Sequence, residues 1–236
     1  MQKLRVDVWS DIACPWCYVG KRRLEAALAL FPHADAVEVH WRSFELDPSA
    51  PRVQDESRGP YAARLAKKYG TSVAQAEGMI ATMTATAAAD GLEFRFDRVR
   101  SGNTFDAHRV LHLAGERGVQ DAVKERFLRA YMTEGEPIGE PEVLVRLAAD
   151  AGLDEDEVRA VLASDAYARE VRTDEDEARA LGISGVPFFA IAGRYGVSGA
   201  QTAEVLADVL GRAWKAVNEL GMQELEGAVC GPGGCA

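Results

Sequence analysis

Leu4-Arg5-Val6-Asp7-Val8-Trp9-Ser10-Asp11-Ile12-Ala13-Cys14-Pro15-Trp16-Cys17 is the stretch on which the reading of this chain turns. Leu4, Val6 and Val8 alternate with charged residues, the period of a half-buried strand. Beyond Cys17, apolar residues recur at Leu24, Leu28 and Phe31, which predicts a helix over roughly 14–31. Cys14 therefore falls at a helix N-terminus directly after a strand. Unpaired backbone N–H groups and the positive end of the helix dipole favour an anion there. That promotes the thiolate, the nucleophilic form of a cysteine. Pro15 suits a first helical turn, where its missing N–H is not needed. Cys17, one turn further in, is placed to close on Cys14 and release a trapped partner. Pro15 and Trp16, between the two sulfurs, are expected to tune the pair.

Outward from this segment, Val37, Val39 and Trp41 alternate with Glu38, His40 and Arg42 and predict a second strand. Asp47-Pro48-Ser49-Ala50-Pro51 breaks the regularity. From about Gly59 to Leu181 the pattern is helical. Ser72 with Gln75 and Asp154 with Glu157 have capping-box spacing, and the alanine-rich run from Ala81 to Ala89 stops at Gly91. Strand signals return from Pro187 to Ala192, turn at Gly193-Arg194 and continue through Tyr195 and Val197. Ser198 and Gln201 again have capping-box spacing and are expected to open a last helix carrying Val205, Leu206, Val209, Leu210 and Val217. The order strand–helix–strand, helical block, strand–strand–helix predicts an α/β, thioredoxin-like domain with a large α-helical insertion. The expected division is 1–58 and 182–220 for the two parts of that domain, 59–181 for the insertion, and 221–236 for a flexible tail containing Cys230 and Cys235.

Composition narrows the partners. Against 27 Lys and Arg stand 37 Asp and Glu, a net charge of −10. That argues against nucleic acid or an anionic membrane as the main partner. Met1-Gln2-Lys3-Leu4-Arg5 leads into the strand without the apolar run of a signal peptide, and no stretch is long enough to span a membrane. Taken as the native start, this predicts a reducing cytoplasm, where paired cysteines are catalytic or redox-sensing rather than structural. No dimerisation segment stands out, so a monomer is expected.

The chain resembles the DsbA-like thioredoxin superfamily, and most closely its cytoplasmic FrnE-like group. Four stretches carry the resemblance: Asp11-Ile12-Ala13-Cys14-Pro15-Trp16-Cys17, Asn103-Thr104-Phe105-Asp106-Ala107-His108-Arg109, Gly182-Ile183-Ser184-Gly185-Val186-Pro187-Phe188-Phe189 and Ser198-Gly199-Ala200-Gln201. The resemblance implies a DsbA-like fold and thiol–disulfide exchange on protein or peptide thiols, with Cys14 as nucleophile and Cys17 as resolving thiol. It implies a cis bond at Val186-Pro187, facing the cysteines and positioning the partner backbone. It sets Asn103 and His108 near the active-site cleft, where an ordinary helix cap and a packed histidine are equally open readings. No organic cofactor and no metal are implied. Glutathione is a candidate reductant or substrate, beside a recycling redox partner.

Cys230-Gly231-Pro232-Gly233-Gly234-Cys235 is a second closable pair, rich in turn-forming residues. It is expected to exchange electrons with Cys14–Cys17, across about ten residues of tail. Free thiols, an isolated tail disulfide, or a zinc site built from the four cysteines are the competing readings. His108 and His112, four apart, share a helix face as metal ligands would, but no acidic residue nearby completes a usual motif. Relatives of this fold also isomerise small aromatic compounds with glutathione, typically with serine at the nucleophilic position. Two retained cysteines favour dithiol exchange over that, and over a non-catalytic peptide-binding module.

Overall fold

The computed structural model describes residues 2–52 and 59–227, with side chains as far as residue 218. Strand β1 (Leu4–Ser10) lies inside a four-stranded mixed sheet. Leu4, Val6 and Val8 are wholly buried on one face, as the alternation requires. Strand β2 (Val37–Ser43) runs parallel to it, in register from Leu4 opposite Val37 to Ser10 opposite Ser43. Parallel neighbours need a crossover, supplied here by helix α1 (Pro15–Leu30). Strand β3 (Phe188–Ile191) pairs antiparallel with the other side of β1, and β4 (Tyr195–Ser198) with β3. At the β3–β4 turn the Arg194 N–H donates to the Ile191 carbonyl at 3.1 Å. Ala192 and Gly193 between them both have positive φ, 54° and 63°, which is a type I′ turn.

Helix α9 (Ala203–Gly227) joins α1 on one face of the sheet. Leu24 and Ala27 from α1, Phe31 at its C-cap, and Leu206, Leu210 and Ala213 from α9 pack on Val6, Val8, Phe189 and Ile191. The opposite face is closed by α8 (Ala168–Ala180). Ala178 packs with Trp9 there, and the Trp9 indole donates to the Asp174 carbonyl at 2.8 Å.

Between β2 and β3 come α2 (Tyr61–Tyr69), α3 (Val73–Ala89), α4 (Phe105–Glu116), α5 (Gln120–Arg129), a π turn over Ala130–Glu134, α6 (Pro141–Asp150), α7 (Glu155–Leu162) and α8. They enclose a second core that includes Phe127, Leu128, Leu144, Leu147 and Val158. Ile12, Tyr18 and Val19 belong to this second core. The segment carrying the two cysteines is thus gripped from both sides, by the sheet and by the helical block.

The Ser72–Gln75 capping box forms in full at the start of α3. Asp154 caps α7 by accepting the N–H groups of Asp156 and Glu157. The box expected at Ser198 and Gln201 does not form. Gly199, at φ 76°, donates its N–H to the Pro187 carbonyl at 2.8 Å and holds Ser198 in β4. The Gln201 side chain instead donates to the Ser198 carbonyl at 2.9 Å. The last helix starts at Ala203, with Thr202 Oγ1 accepting the Val205 N–H at 3.5 Å. Val205 itself is exposed rather than on the packed face. Helix α9 also runs on to Gly227, past residue 220, so the ten-residue reach expected before Cys230 is mostly helix.

Candidate active site

Cys14 is the N-cap residue of α1, and Pro15 opens the first turn. The Cys14 N–H donates to the Asp11 carbonyl at 3.4 Å, and the Cys17 N–H to the Cys14 carbonyl at 3.1 Å. These turns set both sulfurs on the side of α1 that faces the helical block. Cys14 is 4% exposed and Cys17 0%. Only Trp16, 44% exposed, stands out into solvent between them.

The Cys14 thiol donates to the Val186 carbonyl at 3.5 Å, and the Val186–Pro187 peptide bond is cis. Beneath the loop, Gly20 of α1 leaves just enough room for Pro187: a Cβ there would lie 2.9 Å from Pro187 Cγ. Three segments distant in sequence therefore meet at one sulfur: the end of β1, the first turn of α1 and the loop before β3.

A cleft of about 1600 Å³ opens over Cys14. Pro15, Trp16 and Val186 form one wall. Tyr61 from α2, Met79 and Met83 from α3, Phe96, and Tyr131 from the π turn form the other. Lys67 and Lys68 stand exposed at its edge. Burial, reinforced by the charge of Cys14, pushes the Tyr61 phenol up to about 12, so the wall stays neutral.

Behind the cysteines lies a buried polar layer. The Asp11 carboxylate accepts the Leu46 N–H at 2.8 Å and the Ala13 N–H at 3.4 Å, and sits 3.4 Å from His108 Nε2. Burial alone would raise the Asp11 pKa. The hydrogen bonds from His108, Leu46 and Thr104 outweigh it and hold the carboxyl below its usual range. For Cys17, burial and its hydrogen bond with Cys14 act together and push the thiol well above the ordinary value. Lys124 of α5 is also wholly buried, its Nζ lies 5.6 Å from the centre of the Trp41 ring, and burial pushes its pKa down to about 8.

Of the residues singled out in the sequence, Cys14, Cys17, Pro15, Trp16, Val186 and Pro187 come together. Asn103 and His108 do not line the cleft; their neighbours Gly102 and Thr104 do. Asn103 accepts the Phe105 N–H at 2.9 Å and ties down Glu45 and the Pro48 carbonyl, a cap and a loop anchor. His108 is packed against Asp11. His112, expected to share its face, turns to a different carboxylate, Asp174, at 3.1 Å. Among the described residues no three metal-binding side chains converge. Cys230 and Cys235 lie outside the described residues. Asp11 and Lys124 were not singled out from the sequence. The signal for Lys124 was present: it lies three and four residues before Phe127 and Leu128, on an apolar helix face.

A DSBA-like thioredoxin domain model matches residues 5–211. The chain belongs to that family, and its fold is the DsbA-like thioredoxin fold. A probable DsbA oxidoreductase from Streptomyces coelicolor is 48% identical, with a TM-score of 0.83 over 99% of this chain and 98% of that one. An uncharacterised protein, YwbO, from Bacillus subtilis (strain 168) is 29% identical over 167 residues, 70% of this chain and 74% of that protein. The cytosolic disulfide reductase DsbM from Pseudomonas aeruginosa, solved with GSH, shares the fold at 19% identity, with a TM-score of 0.59 over 93% of this chain and 99% of its own.

Proposed function

We propose that this protein is a thiol–disulfide oxidoreductase or isomerase acting on protein and peptide disulfides. The observation that carries the reading is the Cys14 sulfur at a helix N-terminus, against the Val186 carbonyl, with Cys17 buried behind it and a cleft in front. Cys14 attacks a substrate disulfide, or is attacked when oxidised, and a mixed disulfide forms. When Cys14 is the attacker, Cys17 then attacks Cys14, closes the Cys14–Cys17 bond and releases the partner as a thiol; when the oxidised pair is attacked, Cys17 leaves as the thiolate and a second thiol of the partner displaces Cys14, so that the partner leaves as a disulfide. Val186 offers a backbone edge to the bound chain.

The cleft supports a polypeptide substrate over a small aromatic one. Small-ligand pockets usually span about 300–1,000 Å³, and this cleft is larger, open and lined by flexible Met79 and Met83 beside aromatic rings. Lys67 and Lys68 on its edge, in a chain of net charge −10, favour segments carrying acidic groups.

The finer placement is also ours: a cytoplasmic, monomeric, FrnE-like protein recycled by glutathione or another dithiol partner, with Cys230–Cys235 as a second redox pair. The Asn103–Arg109 stretch and the paired tail cysteines motivate it.

The test is trapping. Cys17→Ser should accumulate a mixed disulfide at Cys14 with a disulfide-bonded peptide, and Cys14→Ser should form none. Should Cys14→Ser retain full exchange activity, the reading is wrong.

A further inference from the structure

The Lys124 side chain is 0% exposed, and among the described residues its Nζ has no hydrogen-bond partner. The contrast with Lys21, also buried, is sharp. Lys21 pairs with Glu25, with Asp121 at 3.1 Å and with Glu125 at 3.2 Å. An uncompensated ammonium in a core is costly, and such a group stays neutral or finds an anion.

The charges that act on Lys124 come from several elements. Cys17 and Lys21 come from α1, and Cys14 and Asp11 from the β1–α1 connection. From β2 comes the Trp41 ring, whose indole N–H is already given to Asp121 at 3.0 Å. Asp11 is satisfied by Leu46, Ala13 and His108. Cys17, hydrogen-bonded to Cys14, is the acid that acts most strongly on the unpaired Lys124, and both are sealed from solvent.

On the oxidoreductase reading above, we infer that Lys124, as the neutral amine, takes the proton of Cys17 when Cys17 resolves the mixed disulfide at Cys14. The Cys17 S–H bond breaks and the proton passes to Nζ. The Cys17 thiolate attacks the Cys14 sulfur, the Cys14–Cys17 bond forms, and the bond from Cys14 to the partner breaks. The partner leaves as a thiolate carrying the electron pair and is protonated by solvent. On reduction the ammonium returns its proton to Cys17. The thiolate and the ammonium thus arise together as a pair, and once the disulfide has formed Lys124 carries the proton until reduction. The depressed Lys124 pKa, about 8, leaves a useful share of neutral amine near neutral pH.

The experiment separates the two half-reactions by rapid mixing with a peptide disulfide, across pH 6 to 10. In the wild type, resolution should rise with pH and level near pH 8. Lys124→Met keeps the volume and removes the base. It should leave Cys14 attack within about twofold and slow resolution on the order of 10²-fold, with the inflection lost. A variant that resolves at the wild-type rate with the wild-type pH profile overturns the inference and leaves the oxidoreductase reading standing. Should Lys124→Met fail to fold, the wild-type profile decides: resolution without an inflection overturns it. Absence of any mixed disulfide in the wild type overturns both.

Discussion

Gly20 and Pro187 stand so close that the glycine has no room for a side chain: a Cβ would meet Pro187 Cγ at 2.9 Å and Phe189 Cζ at 3.3 Å. The contact fixes how far α1 stands from the loop that carries Val186, and hence where Cys14 meets the Val186 carbonyl. Gly20→Ala should force the loop outward. We expect a loss of about 1–3 kcal/mol from overpacking, read by urea denaturation, and slower disulfide exchange at Cys14. Wild-type stability and rate together would show that the loop has slack.

Lys124 and Cys17 pull stability in opposite directions with pH. Burial lowers the Lys124 pKa from 10.5 to about 8, so its stabilising contribution is present above pH 10.5 and lost as pH falls through 8. The lost contribution is on the order of 3 kcal/mol. Cys17 is raised well above its ordinary value of 9.0, so its contribution is present below pH 9 and lost as pH rises toward the folded value. Cys17→Ser should therefore gain stability from pH 8 to 10.5. Lys124→Met should lose it above pH 9, and the wild type should change less than either. Urea titrations of the reduced proteins at half-unit pH steps check this. Parallel curves for all three would show that the two groups do not titrate in the fold.

His108 is the partner that keeps a buried carboxylate charged. Asp11, held below 3.8, stabilises the fold above that pH and stops doing so as pH falls through its folded value. His108→Phe removes the 3.4 Å interaction and should cost about 1–3 kcal/mol at pH 7. Acid unfolding should begin at a higher pH than in the wild type. An unchanged acid midpoint would mean that the Leu46 and Ala13 N–H groups suffice.

Ala192 occupies a left-handed position, φ 54°, in the β3–β4 turn. Alanine is disfavoured there by about 1–2 kcal/mol, and Asn-Gly is the preferred pair for a type I′ turn. Ala192→Asn should add about 0.5–1 kcal/mol. The turn is at the end of the sheet away from Cys14, so exchange rates should not move. The urea midpoint should rise with an unchanged slope.

Much of this was legible in the chain because short-range patterns encode it. The alternation of Leu4, Val6 and Val8 and the placement of Cys14 before Pro15 identified the strand, the helix and the cysteine at its N-cap. The resemblance supplied Pro187. Ser198 and Gln201 misled because capping-box spacing is a local signal, and a long-range hydrogen bond from Gly199 to Pro187 overrode it. His108 could not be assigned between cleft and core, since its surroundings are set by Asp11, 97 residues away. Lys124 escaped for a related reason. A lysine on a helix usually reaches solvent, and only the docking of α5 against α1 and β2 closes that exit.

The two sulfurs leave the ribosome well before Val186, which follows Cys14 by 172 residues. During synthesis the thiols are bare, without the lysine beneath them or the carbonyl beside them. The site is thus incomplete until Val186 has arrived. A truncated product carries the Cys-Pro-Trp-Cys signature in full and still lacks the surroundings that give it a function.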